Sequence, residues 1–240
     1  MKMIARLAGM IIPLLALSAC LLTPGKFTSS LDVRKDGHFT FAYKGEVIAK
    51  DFADSMKGMG PGKDEEDGQD AEDEDASFLQ IASTSDDEDD GKTAKMQAIV
   101  DALMKEKGYR SARYVGGDTL EIDYEISGML DHSFLFPFNA DAQVVLPFVA
   151  VEVRKDGKVR IQAPGFGEGD SKSGGMGSMG GKGGMEQREG SFTLTTDARI
   201  VSQNQENGST GTARGEKIVW HVTPLTRIAP MAVLELAEPK

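Results

Sequence analysis

Alternation of apolar and polar residues around Asp-Gly pairs is the feature that most limits how this chain can fold. The segment LDVRKDGHFTFAY, residues 31–43, alternates on both sides of Asp36-Gly37. Because such a pair tolerates positive φ, the pattern is a strong signal for a tight β-hairpin. The letters VRKDG recur at residues 153–157, again between alternating segments. The repeat indicates either a duplicated unit or convergence on a favourable hairpin turn, and we favour convergence.

A further hairpin is predicted around Gly116-Gly117-Asp118, where alternating segments again lie on both sides. Other strands are expected at residues 145–153, 158–163, 191–201, 217–223 and 231–236. Hairpins of this kind, combined with one good helix, predict an α+β fold with a mainly antiparallel sheet.

One amphipathic helix is predicted before Gly108. Its apolar stripe has the spacing of a single helix face and consists of Met96, Ile99, Val100, Leu103 and Met104. Lys105 and Lys107 are expected in the last turn and Gly108 just past it, as the helix dipole and C-cap geometry favour. We expect this helix to pack on the sheet.

Two segments lack the pattern that a core needs. Residues 55–91 contain the runs DEEDGQDAEDED and DDEDDG, which cannot bury enough apolar surface to offset chain entropy. A long disordered acidic insert is therefore predicted there. Residues 165–190 are rich in Gly, Met, Ser and Lys and are expected to form a flexible loop.

The formal net charge of −11 comes mainly from the acidic insert, since no basic residue lies between Asp64 and Asp90. Outside the insert the chain is close to neutral. It has no basic stripe with interleaved aromatic residues, so a nucleic-acid partner is not expected.

Residues 1–19 have the organisation of a secretory signal. Lys2 and Arg6 provide the charged start, an apolar run follows, and Ser18 and Ala19 are small residues before Cys20. The apolar run is shorter than the roughly 20 residues that a membrane-spanning helix needs. These residues predict a secretory signal with a cleavage site at the small residues. No later apolar run is long enough to cross a bilayer.

The letters LSAC at residues 17–20 resemble the lipobox of bacterial lipoproteins. The resemblance implies diacylglyceryl transfer to the Cys20 sulfur, cleavage before Cys20 and often acylation of the new amino group, with palmitate as an expected acyl group. Leu21, in place of Asp, favours the outer over the inner membrane under enterobacterial-type sorting. Residues 20–30 are expected to be a lipidated tether and residues 31–240 a single domain. Cys20 is the only cysteine, so no disulfide is expected even in an oxidising compartment.

Candidate binding residues are few. An envelope lipid would need an apolar cleft, for which Phe134, Phe136 and Phe138 are candidate lining, with core packing as the alternative. Soft thioether ligands for Cu(I) could come from Met56, Met59, Met176, Met179 and Met185. The alternating carboxylates are either a cation site or a solvated sheet face, and they are Glu121, Asp123 and Glu125.

No catalytic constellation is found in the sequence. The G-x-S-x-G pattern is absent, and the three histidines are scattered without metal or triad spacing. The sequence therefore favours a protein that is not an enzyme and needs no cofactor.

The order of elements, from lipobox through the Asp36-Gly37 hairpin and the helix to the IVWHVTP strand around Trp220, resembles LppM-type bacterial lipoproteins. The resemblance implies binding of envelope lipids. We expect a non-enzymatic protein, lipid-anchored and facing the periplasm, whose α+β domain binds an envelope lipid or other envelope component. The alternative is a structural or interaction subunit of an envelope assembly.

Overall fold

The computed structural model of the 240-residue chain describes residues 20–51, 85–137, 147–168 and 187–237. Over these ranges the chain forms twelve strands, one α-helix (α1, Ser85–Leu103) and a 3-10 helix (Pro164–Phe166). The strands are β1 (Cys20–Val33), β2 (His38–Asp51), β3 (Tyr109–Gly116), β4 (Thr119–Met129), β5 (Phe134–Phe136), β6 (Val149–Val153), β7 (Lys158–Gln162), β8 (Glu189–Thr196), β9 (Arg199–Gln203), β10 (Thr210–Thr212), β11 (Gly215–Val222) and β12 (Met231–Glu235).

The strands form two sheets. The larger has the order β10-β11-β8-β1-β2-β4-β3, and the smaller has the order β5-β6-β7-β12-β9. β1 and β8 run parallel, and the other pairings between described strands are antiparallel. The predicted α+β class, with a mainly antiparallel arrangement and a packed helix, agrees with this architecture.

The buried faces of the two sheets share one hydrophobic core. On β4, alternate residues point inward, which buries Leu120, Ile122 and Tyr124. Phe136 of the smaller sheet is 1% exposed, and its ring centroid lies 4.7 Å from that of Tyr124. Burial of large rings from both sheets is the main driving force that holds the layers together.

The three predicted hairpins are confirmed. Gly37 closes the turn between β1 and β2 at φ +91°, and its amide donates to the Arg34 carbonyl at 2.9 Å. Gly157 has φ +74° between β6 and β7, and Gly117 has φ +63° between β3 and β4. Each position uses the left-handed backbone region that glycine adopts without a steric cost.

The expected tether at residues 20–30 is wrong, because Cys20–Val33 is one strand paired with β2 and β8. The serines, threonines, Pro24 and Gly25 of this segment are typical of a loop. Ser29 is nevertheless buried, and its hydroxyl donates to the Ala42 carbonyl at 3.1 Å. A satisfied hydroxyl costs little in a core, so a polar residue occupies an inward position of the strand.

The helix is present but its bounds differ from the prediction. Met96, Val100 and Leu103 are buried as expected, whereas Met104 is 44% exposed because α1 ends at Leu103. Lys105 and Lys107 therefore lie beyond the last turn. The Lys105 amide donates to the Ala102 carbonyl at 3.1 Å, which begins a tight turn leading into β3.

The predicted bounds of both unstructured segments are too wide, because residues at their ends belong to the folded part of the chain. Ser85–Gly91 of the acidic insert belongs to α1, and the insert from residue 55 to residue 84 lies outside the described residues. In the predicted flexible loop, Phe166 is buried in the core and Glu189 begins β8. Residues 169–186 lie outside the described residues.

The strand expected at residues 191–201 is two strands. β8 ends at Thr196 and β9 begins at Arg199 in the other sheet. The Ala198 amide donates to the Thr196 hydroxyl at 3.0 Å, which fixes the turn by which the chain changes sheets.

Candidate functional site

The two ends of the sheets are built differently. At one end lie tight turns, at residues 34–37, 154–157, 197–198 and 213–214. At the other end, β1 and β8 begin, β11 ends, and the chain leaves the described ranges after Asp51, Pro137 and Glu168. We call this second end, which includes residues 20–26, 46–51, 116–118 and 223–230, the Cys20 end. Functional residues commonly lie where connecting segments gather at one end of a rigid scaffold.

A β-bulge shapes the Cys20 end, where the pairing of β1 with β2 shifts between Pro24 and Phe27. Gly45 lies opposite the shift at φ +148°. A Cβ atom at Gly45 would be 2.2 Å from the Lys26 carbonyl oxygen, so only glycine allows the strands to approach this closely. The Lys26 amide, displaced from the regular ladder, donates to Glu46 Oε2 at 3.0 Å.

A buried tyrosine forms a hydrogen bond to the backbone next to the bulge. The Tyr43 hydroxyl donates to the Glu46 carbonyl at 2.7 Å, and the Tyr43 residue is fully buried. Burial raises the pKa of Tyr43 well above its ordinary value, with a smaller contribution from Glu46. The phenol therefore stays a neutral donor that fixes the backbone at Glu46.

An open cleft of about 520 Å³ lies at the Cys20 end, beside the bulge. Its lining combines the bulge with the β3–β4 turn, the start of β8 and the loop after β11, and consists of Lys26, Glu46, Val115, Gly116, Thr119, Gln187, Glu189 and Pro224. One ammonium and two carboxylates make the lining polar and weakly acidic at neutral pH. No histidine or cysteine is among the described residues that line the cleft, and their side chains provide hydrogen-bonding groups and charge.

Arg188 follows Gln187 of the cleft lining and joins two other segments of the chain by hydrogen bonds. The residue is 3% exposed, and its guanidinium donates to the carbonyl oxygens of Gly167 at 2.8 Å and Thr226 at 3.0 Å. Its Nε atom is buried and has no hydrogen-bond partner among the described residues. Burial lowers the pKa of Arg188, and the nearby Glu168 carboxylate partly opposes this change.

The predicted apolar lining residues are divided between the core and the undescribed part of the chain. Phe136 packs inside the core, and Phe134 is half-buried with its ring centroid 5.3 Å from that of Phe41. Phe138 lies outside the described residues. Neither Phe134 nor Phe136 lines the polar cleft.

The alternating carboxylates of β4 form ion pairs along a solvated sheet face. Glu121 accepts from Arg113 at 2.6 Å, Glu125 pairs with Arg110, and Asp123 lies 3.7 Å from the Lys44 ammonium. Within the described ranges, no group of three or more His, Cys, Asp or Glu residues could hold a metal ion. The candidate copper ligands Met56, Met59, Met176, Met179 and Met185 lie outside the described residues.

Cys20 is the first residue of β1 and pairs with Asp51. Ala19 and the rest of the predicted signal lie outside the described residues. Among the helices that the structure describes, none has the length and apolar character needed to cross a bilayer.

The sequence does not indicate the cleft or Arg188. The lining residues come from separate elements, and their proximity depends on long-range strand pairing that no local pattern records. Arg188 lies in a segment dominated by glycine, where burial of a charged side chain has no local signal. The Gly45 position follows an alternating run, and a glycine there is a recognisable bulge signal.

The fold defines a double-sheet α+β protein with an open polar cleft at one end. No protein-family model matches the chain, and no curated protein matches it. A solved structure similar to it is the NMR structure of the folded domain of Mycobacterium tuberculosis LppM, which is 13% identical over 91% of this chain and 94% of that chain, with a TM-score of 0.30. A likeness at this level carries no argument about what the chain does.

Proposed function

We propose that this chain is a non-enzymatic lipoprotein of the bacterial cell envelope, anchored through diacylglyceryl-Cys20 and facing the periplasm. In this proposal the polar cleft binds the polar part of an envelope component, such as a lipid headgroup. Leu21 after the lipidated cysteine favours the outer membrane as the site of attachment.

The observation that carries the proposal is that Cys20, the proposed site of the lipid anchor, and the cleft lie at the same end of the protein. The lipobox cysteine begins β1, and Lys26 on the same strand lines the cleft. A diacylglyceryl group at Cys20 would therefore hold the cleft close to the membrane surface. Two or three acyl chains contribute about 0.8 kcal/mol per buried methylene group, which is enough for stable attachment.

The chemistry of the cleft favours a polar ligand. Glu46, Glu189 and Lys26 offer charge-assisted hydrogen bonds, whereas an acyl chain would need an apolar enclosure. We therefore propose that the cleft recognises the headgroup of a lipid and not its acyl chains. Phe134 and Phe136 contribute to the core instead.

Native mass spectrometry of the protein purified from membranes tests this function. Glu46→Gln removes a charge from the cleft but keeps an amide oxygen to accept from the Lys26 amide. Glu216→Gln is the matched control, because Glu216 is exposed on β11 at the end of the sheet opposite the cleft. We expect a bound envelope component in the wild type and in Glu216→Gln, and weaker retention in Glu46→Gln. Equal retention in all three proteins would contradict binding in the cleft.

A second candidate function is that of a subunit in an envelope assembly. It is favoured by the edges of the smaller sheet, where β5 exposes 39% of Leu135 and β9 exposes 41% of Val201. Unpaired edge strands with exposed apolar side chains can pair with a strand of another protein. A stoichiometric protein subunit in the same mass spectrum, without a small ligand, would favour this alternative.

A further inference from the structure

The loop between β11 and β12, Thr223–Pro230, exposes two large apolar side chains at the Cys20 end. Leu225 is 86% exposed and Ile228 is 78% exposed, the highest values among the large apolar residues that the structure describes. Arg227 lies between them in the sequence and is also exposed. We call these residues of the 223–230 loop the apolar tip.

The loop is fixed from several sides, so the exposure of the apolar tip is built into the fold. The Thr223 amide donates to the Thr226 hydroxyl at 2.9 Å, and the buried Arg188 guanidinium donates to the Thr226 carbonyl. Asn204 Nδ2 donates to the Ala229 carbonyl at 2.8 Å. A flexible loop could turn its apolar residues inward, but these bonds hold the backbone and keep both side chains in solvent. A rigid display of apolar side chains is typical of an interaction site.

Strand register places the apolar tip at the end from which the lipid anchor extends. β11 ends at Val222, which lies opposite Gly190 of β8, and Gly190 lies beside Phe27 of β1. Cys20 is then at most about 23 Å farther along β1, at roughly 3.3 Å per residue. If the folded domain tilts about the lipid anchor, Cys20 and the apolar tip can contact the membrane surface at the same time.

The charge at the tip fits a bilayer surface. The Arg227 guanidinium has no carboxylate within ion-pair distance among the described residues, so its charge is available to an external anion. Apolar side chains beside an exposed cation are the combination that interfacial membrane contacts use, with the cation at anionic headgroups.

We propose that the apolar tip is a second membrane contact, in which Leu225 and Ile228 enter the headgroup region of the bilayer that holds Cys20 and Arg227 faces anionic lipid. This inference rests on the proposed lipid anchor. It adds an orientation, because two contacts fix how the cleft faces the membrane, whereas a single lipid anchor allows rotation.

Site-directed fluorescence on the lipidated full chain tests the proposal. The chain has one cysteine, and lipidation converts its sulfur to a thioether, so a new cysteine is the only thiol available for labelling. Ile228→Cys receives a polarity-sensitive dye. Met129→Cys is the control, because Met129 is 44% exposed and ends β4 at the end of the sheet away from Cys20. Both proteins are reconstituted in vesicles of phosphatidylethanolamine and phosphatidylglycerol that carry brominated acyl chains.

We expect the dye at position 228 to shift to shorter wavelength and to be quenched several-fold more strongly than the dye at position 129. Adding Leu225→Asp should abolish this difference while the protein stays membrane-bound. Equal, weak quenching at both positions in a protein that cosediments with the vesicles would overturn the apolar tip as a contact and leave the anchor intact. A blue-shifted dye at position 228 that lipid bromines do not quench would overturn the membrane contact in favour of a protein cover, such as a second copy. A protein that lacks acyl chains and does not cosediment would overturn both proposals.

Discussion

The Arg188 guanidinium donates to the Thr226 carbonyl at 3.0 Å and thereby joins the start of β8 to the loop that follows β11. The same side chain donates to the Gly167 carbonyl at 2.8 Å, next to the 3-10 helix that covers the core. Three segments that are distant in the sequence therefore depend on one buried cation. No carboxylate forms an ion pair with this guanidinium in the described ranges, so backbone carbonyl oxygens replace the water that the charge loses on burial.

Replacing Arg188 should destabilise the fold. Arg188→Ala removes the guanidinium donor from the Gly167 carbonyl and one of two donors from the Thr226 carbonyl, which keeps the Glu168 amide at 3.2 Å. We expect a loss of about 2 kcal/mol in the free energy of unfolding. Urea unfolding followed by the fluorescence of Trp220, the single tryptophan, measures it. Arg227→Ala is the control, since a change at an exposed arginine should stay within about 0.5 kcal/mol. Equal stability of the two variants would contradict the role of Arg188.

Gly45 should tolerate no side chain. In Gly45→Ala the new Cβ would lie 2.2 Å from the Lys26 carbonyl oxygen and 2.6 Å from the Phe27 Cα, and both are backbone atoms that cannot move aside easily. We expect a loss above about 3 kcal/mol, seen as a large fall in the urea midpoint. Gly157→Ala is the control that distinguishes a steric clash from backbone strain. Gly157 also has positive φ, but a Cβ there would meet no atom within 4 Å. Gly157→Ala should lower the free energy of unfolding by only about 1–2 kcal/mol. If Gly45→Ala lowers it by no more than this, the close approach of the strands at the bulge is contradicted.

Asn204 connects β11, β12 and the 223–230 loop. Its Oδ1 accepts from Trp220 Nε1 at 3.0 Å and from the Met231 amide at 2.9 Å, and its Nδ2 donates to the Ala229 carbonyl. Asn204→Ala should cost about 2 kcal/mol, because partly buried partners lose their hydrogen bonds. The same change should shift the emission of Trp220, which gives a local readout. Asn207→Ala, at an exposed position, should alter neither quantity.

Three tyrosines, of which two are buried and one is partly buried, predict a loss of stability at alkaline pH. Burial raises the pKa values of Tyr43, Tyr109 and Tyr124 above their ordinary value of 10.0. The unfolded chain ionises these phenols near pH 10, while the folded chain keeps them neutral. The three phenols should therefore leave the stability unchanged between neutral pH and about pH 10, and the stability should fall as the pH rises further.

Tyr109→Phe tests the cause of this pH dependence. It keeps the ring whose centroid lies 4.9 Å from that of Tyr124 but removes one ionisable group. The variant should lose less stability than the wild type between neutral and alkaline pH. An identical decline in both proteins would show that Tyr109 does not contribute.

Local signals explain which parts of the fold can be predicted from the sequence. The turns at Gly37 and Gly157 need positive φ, and the flanking alternation has the period of a strand, so both hairpins can be inferred from short segments. The stripe of α1 is equally local. The parallel pairing of β1 with β8 joins residues far apart in the sequence, so local composition predicts a tether at residues 20–30 although the segment forms a central strand.

The candidate site cannot be predicted for the same reason. Lys26, Glu46 and Glu189 belong to three different strands, and each alone looks like an ordinary surface charge. The sequence makes Phe136 a candidate lining residue, whereas its ring fills the core against Phe41 at a centroid distance of 4.9 Å. Aromatic residues indicate burial in a sequence, but they do not distinguish a core from a pocket.

The proposed function depends most on Cys20, and the intact mass of the membrane-extracted protein tests it most directly. We expect a chain that begins at Cys20 and carries a diacylglyceryl group, and a Cys20→Ser variant that is neither acylated nor cleaved at this position. A wild-type chain that keeps residues 1–19, or one that starts at Cys20 without any acyl group, would contradict the lipid anchor.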